Sequence, residues 1–196
     1  MRPPARVCFF GDSFVNGCGD RLSLGWVGRV CARRMAQGAA LTAYNLGIRG
    51  DTSGQIAQRW WAEARARLSD PAQAALVFSF GANDAAQAVP EAETIATART
   101  ILTQAAAFAP TLMIGPAPIA DDDAADRRIA QLCSALEHLC QSELGLDYLA
   151  IHHSLRHNPA WMSEALANDG AHPDQGGYEA LAALVENWPA WQRWFG

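Results

Sequence analysis

Four short segments of this 196-residue chain carry side chains that could perform hydrolytic chemistry together. Gly11-Asp12-Ser13 offers a serine hydroxyl, with Gly17 and Gly19 just beyond it to allow a tight, open turn. Gly50-Asp51-Thr52-Ser53 sets a glycine ahead of good helix caps, where an unshielded backbone N–H could hold an anion. Gly81-Ala82-Asn83-Asp84 contributes the Asn83 amide, a neutral donor that is the same at every working pH. Asp169-Gly170-Ala171-His172-Pro173 supplies a base and, three positions before it, a carboxylate able to fix its tautomer. Taken singly, each segment also reads as a common turn or N-cap. Taken together they contain a nucleophile, a base, an orienting acid and anion donors.

Something must bring these segments to one place. Short β-prone apolar runs at Val7–Phe10, Leu41–Leu46, Ala74–Phe80, Thr111–Ile114 and Tyr148–Ile151 predict five strands. Helical spacing predicts helices over Trp26–Met35, from behind Asp51, Thr52 or Ser53 to about Leu68, and over Pro90–Phe108, Ala124–Leu144 and Tyr178–Trp188. The stretch 152–177 reads as irregular. Strands alternating with helices through short connections imply an α/β fold, a parallel sheet with helices on both faces. Ligands of such sheets bind beyond the carboxyl ends of the strands. Three of the four segments directly follow the first three strands.

Composition narrows the chemistry. All fifteen basic residues are arginine, so reactions that need a lysine amine are excluded: Schiff-base and pyridoxal-phosphate chemistry, a Ser–Lys dyad, a Walker-A ATPase. A net charge of −5 with no basic stripe argues against a nucleic-acid partner. The N-terminus lacks a signal-peptide pattern and no apolar run approaches a membrane span, which implies a cytoplasmic address. Five scattered cysteines, without a C-x-x-C pair, suit that address; Cys133 and Cys140, seven apart on the predicted helix, should share a face and read as buried small hydrophobes. The length and the even mix of apolar and polar stretches predict one domain over 1–196.

The four segments, in this order, resemble the blocks of the SGNH (GDSL-type) hydrolase family, and the resemblance runs from Gly11 to Pro173. It implies a flavodoxin-like three-layer α/β/α sandwich with a parallel sheet of about five strands. By matching position it implies Ser13 as nucleophile, His172 as general base and Asp169 as its orienting acid. The oxyanion donors would be the N–H of Ser13, the N–H of Gly50 and the Asn83 side chain. Gly47 is the competing source of the second N–H, and the match to Gly-Asp-Thr-Ser favours Gly50. The family's usual leucine after the serine is Phe14 here, an apolar swap expected to leave the chemistry untouched. The G-x-S-x-G elbow of α/β-hydrolases is absent.

The expected reaction is hydrolysis of a small-molecule carboxylic ester or thioester, of short acyl chain or aryl type, through an acyl-enzyme on Ser13. Neither cofactor nor metal is expected. A carbohydrate O-deacetylase is the competing enzyme reading, and a non-catalytic flavodoxin-like binding module the competing non-enzyme one. Asp121-Asp122-Asp123 reads as a helix start, not a metal site, and His152, His153 and His157 as surface or rim residues. Trp188, Trp191 and Trp194 predict a docked C-terminal tail, with a homo-oligomer contact as the alternative. Trp60 and Trp61 are adjacent on a helix, so one of them should line a cleft or an interface.

Overall fold

The computed structural model describes residues 5–195. Its sheet has five parallel strands in the order β2-β1-β3-β4-β5. The strands are β1 (Arg6–Gly11), β2 (Thr42–Gly47), β3 (Ala74–Ser79), β4 (Thr111–Ile114) and β5 (Tyr148–Leu149). The helices are α1 (Ser13–Asn16), α2 (Gly25–Ala36), α3 (Ser53–Arg67), α4 (Ala82–Ala86) and α5 (Glu91–Phe108), then α6 (Asp123–His138), α7 (His152–Arg156), α8 (Pro159–Ala167), α9 (Gln175–Glu186) and α10 (Pro189–Phe195).

Side chains alternate across the sheet, so each inner strand feeds two cores. Val7, Phe9, Ala75, Val77, Leu112 and Ile114 face one core, with Trp26 of α2, Trp161 of α8 and Tyr178 of α9. Cys8, Phe10, Leu76, Phe78 and Met113 face the other, with Ile56 and Trp60 of α3, Ile101 of α5 and Leu136 of α6. The result is a three-layer α/β/α sandwich, the architecture that the alternation of strands and helices predicts.

Strand order reverses its direction between β1 and β3, the switch point at which open α/β sheets leave a crevice. Gly11 is level with Gly47 on one side and with Ser79 on the other. The three strands therefore stop together, and the segments that follow them start at one edge.

The late part of the chain is more helical than expected. Residues 152–177 contain α7 and α8. Asn158 caps α8 by accepting the Trp161 N–H, and Pro159 takes the first helical position, where a proline fits. The predicted helix 124–144 changes at Leu139 to a π-helical turn that runs to Leu144, and Gly145 closes it in the left-handed conformation. That turn breaks the seven-residue spacing of Cys133 and Cys140, which are both buried but in different cores. Burial pushes both thiols up to about 12. Asp122 caps α6, and the Ala125 and Ala124 N–H groups draw its carboxyl below the usual range.

The terminal tryptophans dock as expected: Trp191 and Trp194 are buried, and the Trp191 ring stands 6.2 Å from Phe9. Trp60 is buried and packs on Phe10 and Phe78. Trp61, half-buried, packs instead on Phe108 with the Arg65 guanidinium over its ring. No helix among the described residues is long and apolar enough to cross a membrane. Trp60→Ala should cost about 3–5 kcal/mol of unfolding free energy, and Trp61→Ala less than half of that. Urea titrations with an unchanged m-value will check the order.

Candidate active site

Ser13 opens α1, so its N–H has no acceptor within its own helix. Asp12 caps that helix, its carboxylate accepting the Phe14 N–H at 2.9 Å. Burial pushes the Asp12 carboxyl up to about 7, and the neighbouring Asp84 charge adds to it against the Phe14 N–H.

The second segment makes a turn from Ile48 to Asp51, closed by Asp51 N–H to Ile48 C=O at 3.2 Å. Gly50 is its third residue, at φ +88°, a conformation that favours glycine. No described residue accepts the Gly50 N–H. The Gly47 N–H, by contrast, is given to Asn45 Oδ1 at 3.1 Å. Gly47 answers a packing need, since a methyl there would run into the Asn16 N–H and the Asp12 carbonyl. α3 then starts with a full capping box between Thr52 and Gln55.

Asn83 stands in the first turn of α4. Its Nδ2 donates to the Asp51 carbonyl at 3.0 Å and lies 3.3 Å from Asp12 Oδ2. The amide therefore sits between the neighbour of Gly50 and the neighbour of Ser13. The three segments that carry the expected donors meet at the switch point.

The late segment approaches from outside the sheet. His172 Nε2 is 2.7 Å from Ser13 Oγ, and His172 Nδ1 is 2.8 Å from Asp169 Oδ2. Ser13 is 3% exposed and His172 7%. Burial pushes the Asp169 carboxyl up, but the His172 and Ala171 N–H groups and the imidazole outweigh it and hold it at about 2. Such a chain can deprotonate a serine hydroxyl and stabilise the imidazolium that results.

Phe14 has a contact that the sequence did not indicate. Its ring centroid lies 5.0 Å from that of His172, tilted by 34°, so the residue that replaces leucine touches the imidazole. Sequence reasoning also passed over Arg59, whose Nε donates to Asp51 at 2.7 Å and whose Nη2 donates to the Gly11 carbonyl at 3.1 Å. Asp84 likewise went unassigned; it accepts the Ser53 N–H at 2.9 Å and joins α4 to α3. His152 pairs with Asp126, while the His153 and His157 rings meet at a tilt on the surface. No group of three or more His, Cys, Asp or Glu side chains that could hold a metal ion occurs among the described residues.

Residues 9–180 match the GDSL-like Lipase/Acylhydrolase family. The chain belongs to this family. It is a serine hydrolase of the GDSL type, acting on ester bonds. Among solved structures it is similar to a lipase/acylhydrolase from Enterococcus faecalis, at 26% identity over 94% of this chain and 93% of that one, with a TM-score of 0.77. Axe2, an acetylxylan esterase from Geobacillus stearothermophilus, is 19% identical over 100% of this chain and 97% of its own, again with a TM-score of 0.77. A member of the lipolytic G-D-S-L family from Veillonella parvula is 19% identical over 92% and 95%, with a TM-score of 0.74. The comparison with curated proteins returned no match.

The low pKa of Asp169 predicts a specific acid response. Its ordinary unfolded value is about 3.9, so the folded state gains stability above that pH and loses it as pH falls toward about 2. In Asp169→Asn the dependence of the urea midpoint on pH between about 4 and 2 should be shallower than in the wild type.

Proposed function

We infer that the protein is an esterase that removes a small acyl group, acetyl first, from a hydroxyl of a carbohydrate or a similarly polar alcohol, with Ser13, His172 and Asp169 as its catalytic residues. The observation that carries the reaction is the unbroken chain from Asp169 Oδ2 through His172 to Ser13 Oγ, at 2.8 and 2.7 Å. Ser13 Oγ attacks the ester carbonyl as its proton passes to His172 Nε2. Asp169 holds the ring in the tautomer that leaves Nε2 free to accept. The Ser13 N–H, the Gly50 N–H and an Asn83 amide hydrogen hold the oxyanion. The Asn83 hydrogen bound at 3.0 Å to the Asp51 carbonyl anchors the amide, and the one at 3.3 Å from Asp12 is the better placed to turn to the substrate. The imidazolium protonates the departing alcohol, and water cleaves the acyl-enzyme by the same route.

Support for the acetyl and carbohydrate reading comes from Axe2, whose chain aligns with this one almost end to end. Catalytic mutants of Axe2 replace a serine, an aspartate or a histidine by alanine, and the last two are three positions apart, as Asp169 and His172 are. The mouth of the present site agrees with a polar substrate. Arg49 is mostly exposed beside Gly50, and Asp169 is partly exposed.

A panel of aryl acetate, butyrate and octanoate, a short-chain acyl thioester and per-acetylated xylose or xylo-oligosaccharides tests the specificity. The expected order of kcat/KM falls steeply with acyl length, and acetate is released from the sugars. Aryl esters turned over with no acetate released from any sugar would return the short-chain aryl esterase reading. A fluorophosphonate probe should label Ser13 alone; mass spectrometry finding the adduct on Ser53 or another serine would overturn the nucleophile. Asn83→Ala should lower kcat by about 10²–10³, with KM changed little, because the donated bond strengthens as the carbonyl oxygen becomes anionic. A raised KM at constant kcat would instead make Asn83 a substrate-binding residue.

A further inference from the structure

The turn that presents the Gly50 N–H also carries a cation that reaches the far side of the site. Arg49 Nη2 donates to Asp169 Oδ2 at 2.9 Å, across 120 positions of sequence. The same oxygen accepts His172 Nδ1 at 2.8 Å. The other carboxylate oxygen is already taken by the His172 and Ala171 N–H groups, at 2.9 and 3.2 Å. Asp169 has no second cationic side chain against it among the described residues.

The backbone of this segment is held by Ala120 N–H to Gly170 C=O at 2.7 Å and by Asn168 Nδ2 to His172 C=O at 3.1 Å. Neither bond restrains the outer carboxylate oxygen. Asp169 stands on a loop beyond the sheet, whereas Gly50 stands in the turn after β2, so their separation is not set by strand register. The Arg49–Asp169 pair is the direct tie between them.

We propose that Arg49 is a positioning residue: by gripping Asp169 Oδ2 from the oxyanion turn, it orients the acid toward His172 and fixes the base relative to the Gly50 donor. This rests on the reading of Ser13, His172 and Asp169 given above. A guanidinium at this place also offsets part of the negative charge that favours the imidazolium. Its removal therefore moves the acid limb of kcat/KM to higher pH. Other titratable groups face the pair. Cys18 and Tyr178 have their pKa values pushed up by burial, Asp121 packs its carboxyl on Gly170, and Asp12 lies beside Ser13. All are common to wild type and variant, so the difference between two profiles isolates Arg49.

The test compares wild type, Arg49→Gln, Arg49→Lys, Asp169→Asn and the Arg49→Gln/Asp169→Asn double variant on one small acetate ester. An exposed pair of this kind supports an effect of about two- to fivefold. Arg49→Gln should lower kcat by that factor, leave KM within about twofold, and raise the acid limb by about 0.3–0.7 pH units. Arg49→Lys should return the acid limb to its wild-type place and recover part of kcat. High salt should move the wild-type limb toward that of Arg49→Gln and leave the variant still. In the Asp169→Asn background, Arg49→Gln should lower kcat no further. A change in KM alone, an unchanged profile, or a full Arg49 effect on kcat persisting without Asp169 would overturn the proposal. If Asp169→Asn itself proves mild, the assignment of the acid fails and the proposal falls with it. If Asp169→Asn is severe and Arg49→Gln inert, only the proposal fails.

Discussion

Asp51 binds the three strand-end segments into one body. Its carbonyl accepts from Asn83, and its carboxylate accepts from Arg59, which also reaches back to the Gly11 carbonyl. Asp84 repeats the device one layer away, taking both the N–H and the hydroxyl of Ser53 and the Thr94 hydroxyl. Buried or half-buried carboxylates are costly unless each is met by donors, and removing one partner leaves the other charge stranded. These ties therefore add little net stability and much rigidity. What they hold rigid is the spacing between the Ser13 N–H, the Gly50 N–H and Asn83. Donors fixed before a substrate arrives need no reorganisation when charge develops, which is where electrostatic stabilisation gains most.

His172, the proposed base, comes from a second body with its own fastenings. Glu164 of α8 accepts the N–H groups of Gly176 and Gly177 at 3.1 and 2.8 Å, so α8 and α9 grip the segment between them. The Tyr178 hydroxyl of α9 donates to the Cys18 carbonyl at 2.6 Å, and Arg21 pairs with Asp174. Gly19 has no room for a side chain, since a methyl there would meet the Pro173 carbonyl and His172 Cβ. The loop after the serine and the loop that carries the histidine thus lock against each other. His172 reaches Ser13 across a joint between two bodies, and the sheet alone does not determine that distance.

Local signals explain which parts were legible in the sequence. Five strands, the parallel sheet and the four polar segments could be read because each leaves a mark within a few residues: a short apolar run, a glycine turn, a cap. α8 was missed because Asn158-Pro159 was read as part of an irregular stretch, although the same pair serves as an N-cap followed by proline at the first helical position. The π-turn at Leu139–Leu144 leaves no periodic trace, and it defeated the face assignment of Cys140. Gly47 and Gly50 are the same residue type, and only the match to Gly-Asp-Thr-Ser favours Gly50. The distinction lies in Asn45, which takes one N–H and leaves the other. Arg59 and Arg49 look like any solvated arginine, because their partners stand far away in sequence and only the fold brings them close.

Phe14 shows how the core itself takes part in the site. Its ring stacks on Trp161 at 5.9 Å, and Trp161 in turn meets Tyr178 edge-on at 5.9 Å while donating its indole N–H to the Pro118 carbonyl at 3.1 Å. His172 rests on the free side of this aromatic column. An imidazole held only by hydrogen bonds at its two nitrogens could still rock about the line that joins them. A flat ring packed against its face opposes that motion, and the ring is itself backed by the buried Trp161, which Tyr178 braces in turn. Phenylalanine in place of leucine leaves every proton donor and acceptor as it was. Its contribution is steric: it makes the ring plane of His172 a property of the hydrophobic core, so that the orientation that meets Ser13 Oγ and Asp169 Oδ2 is reached by packing as well as by charge.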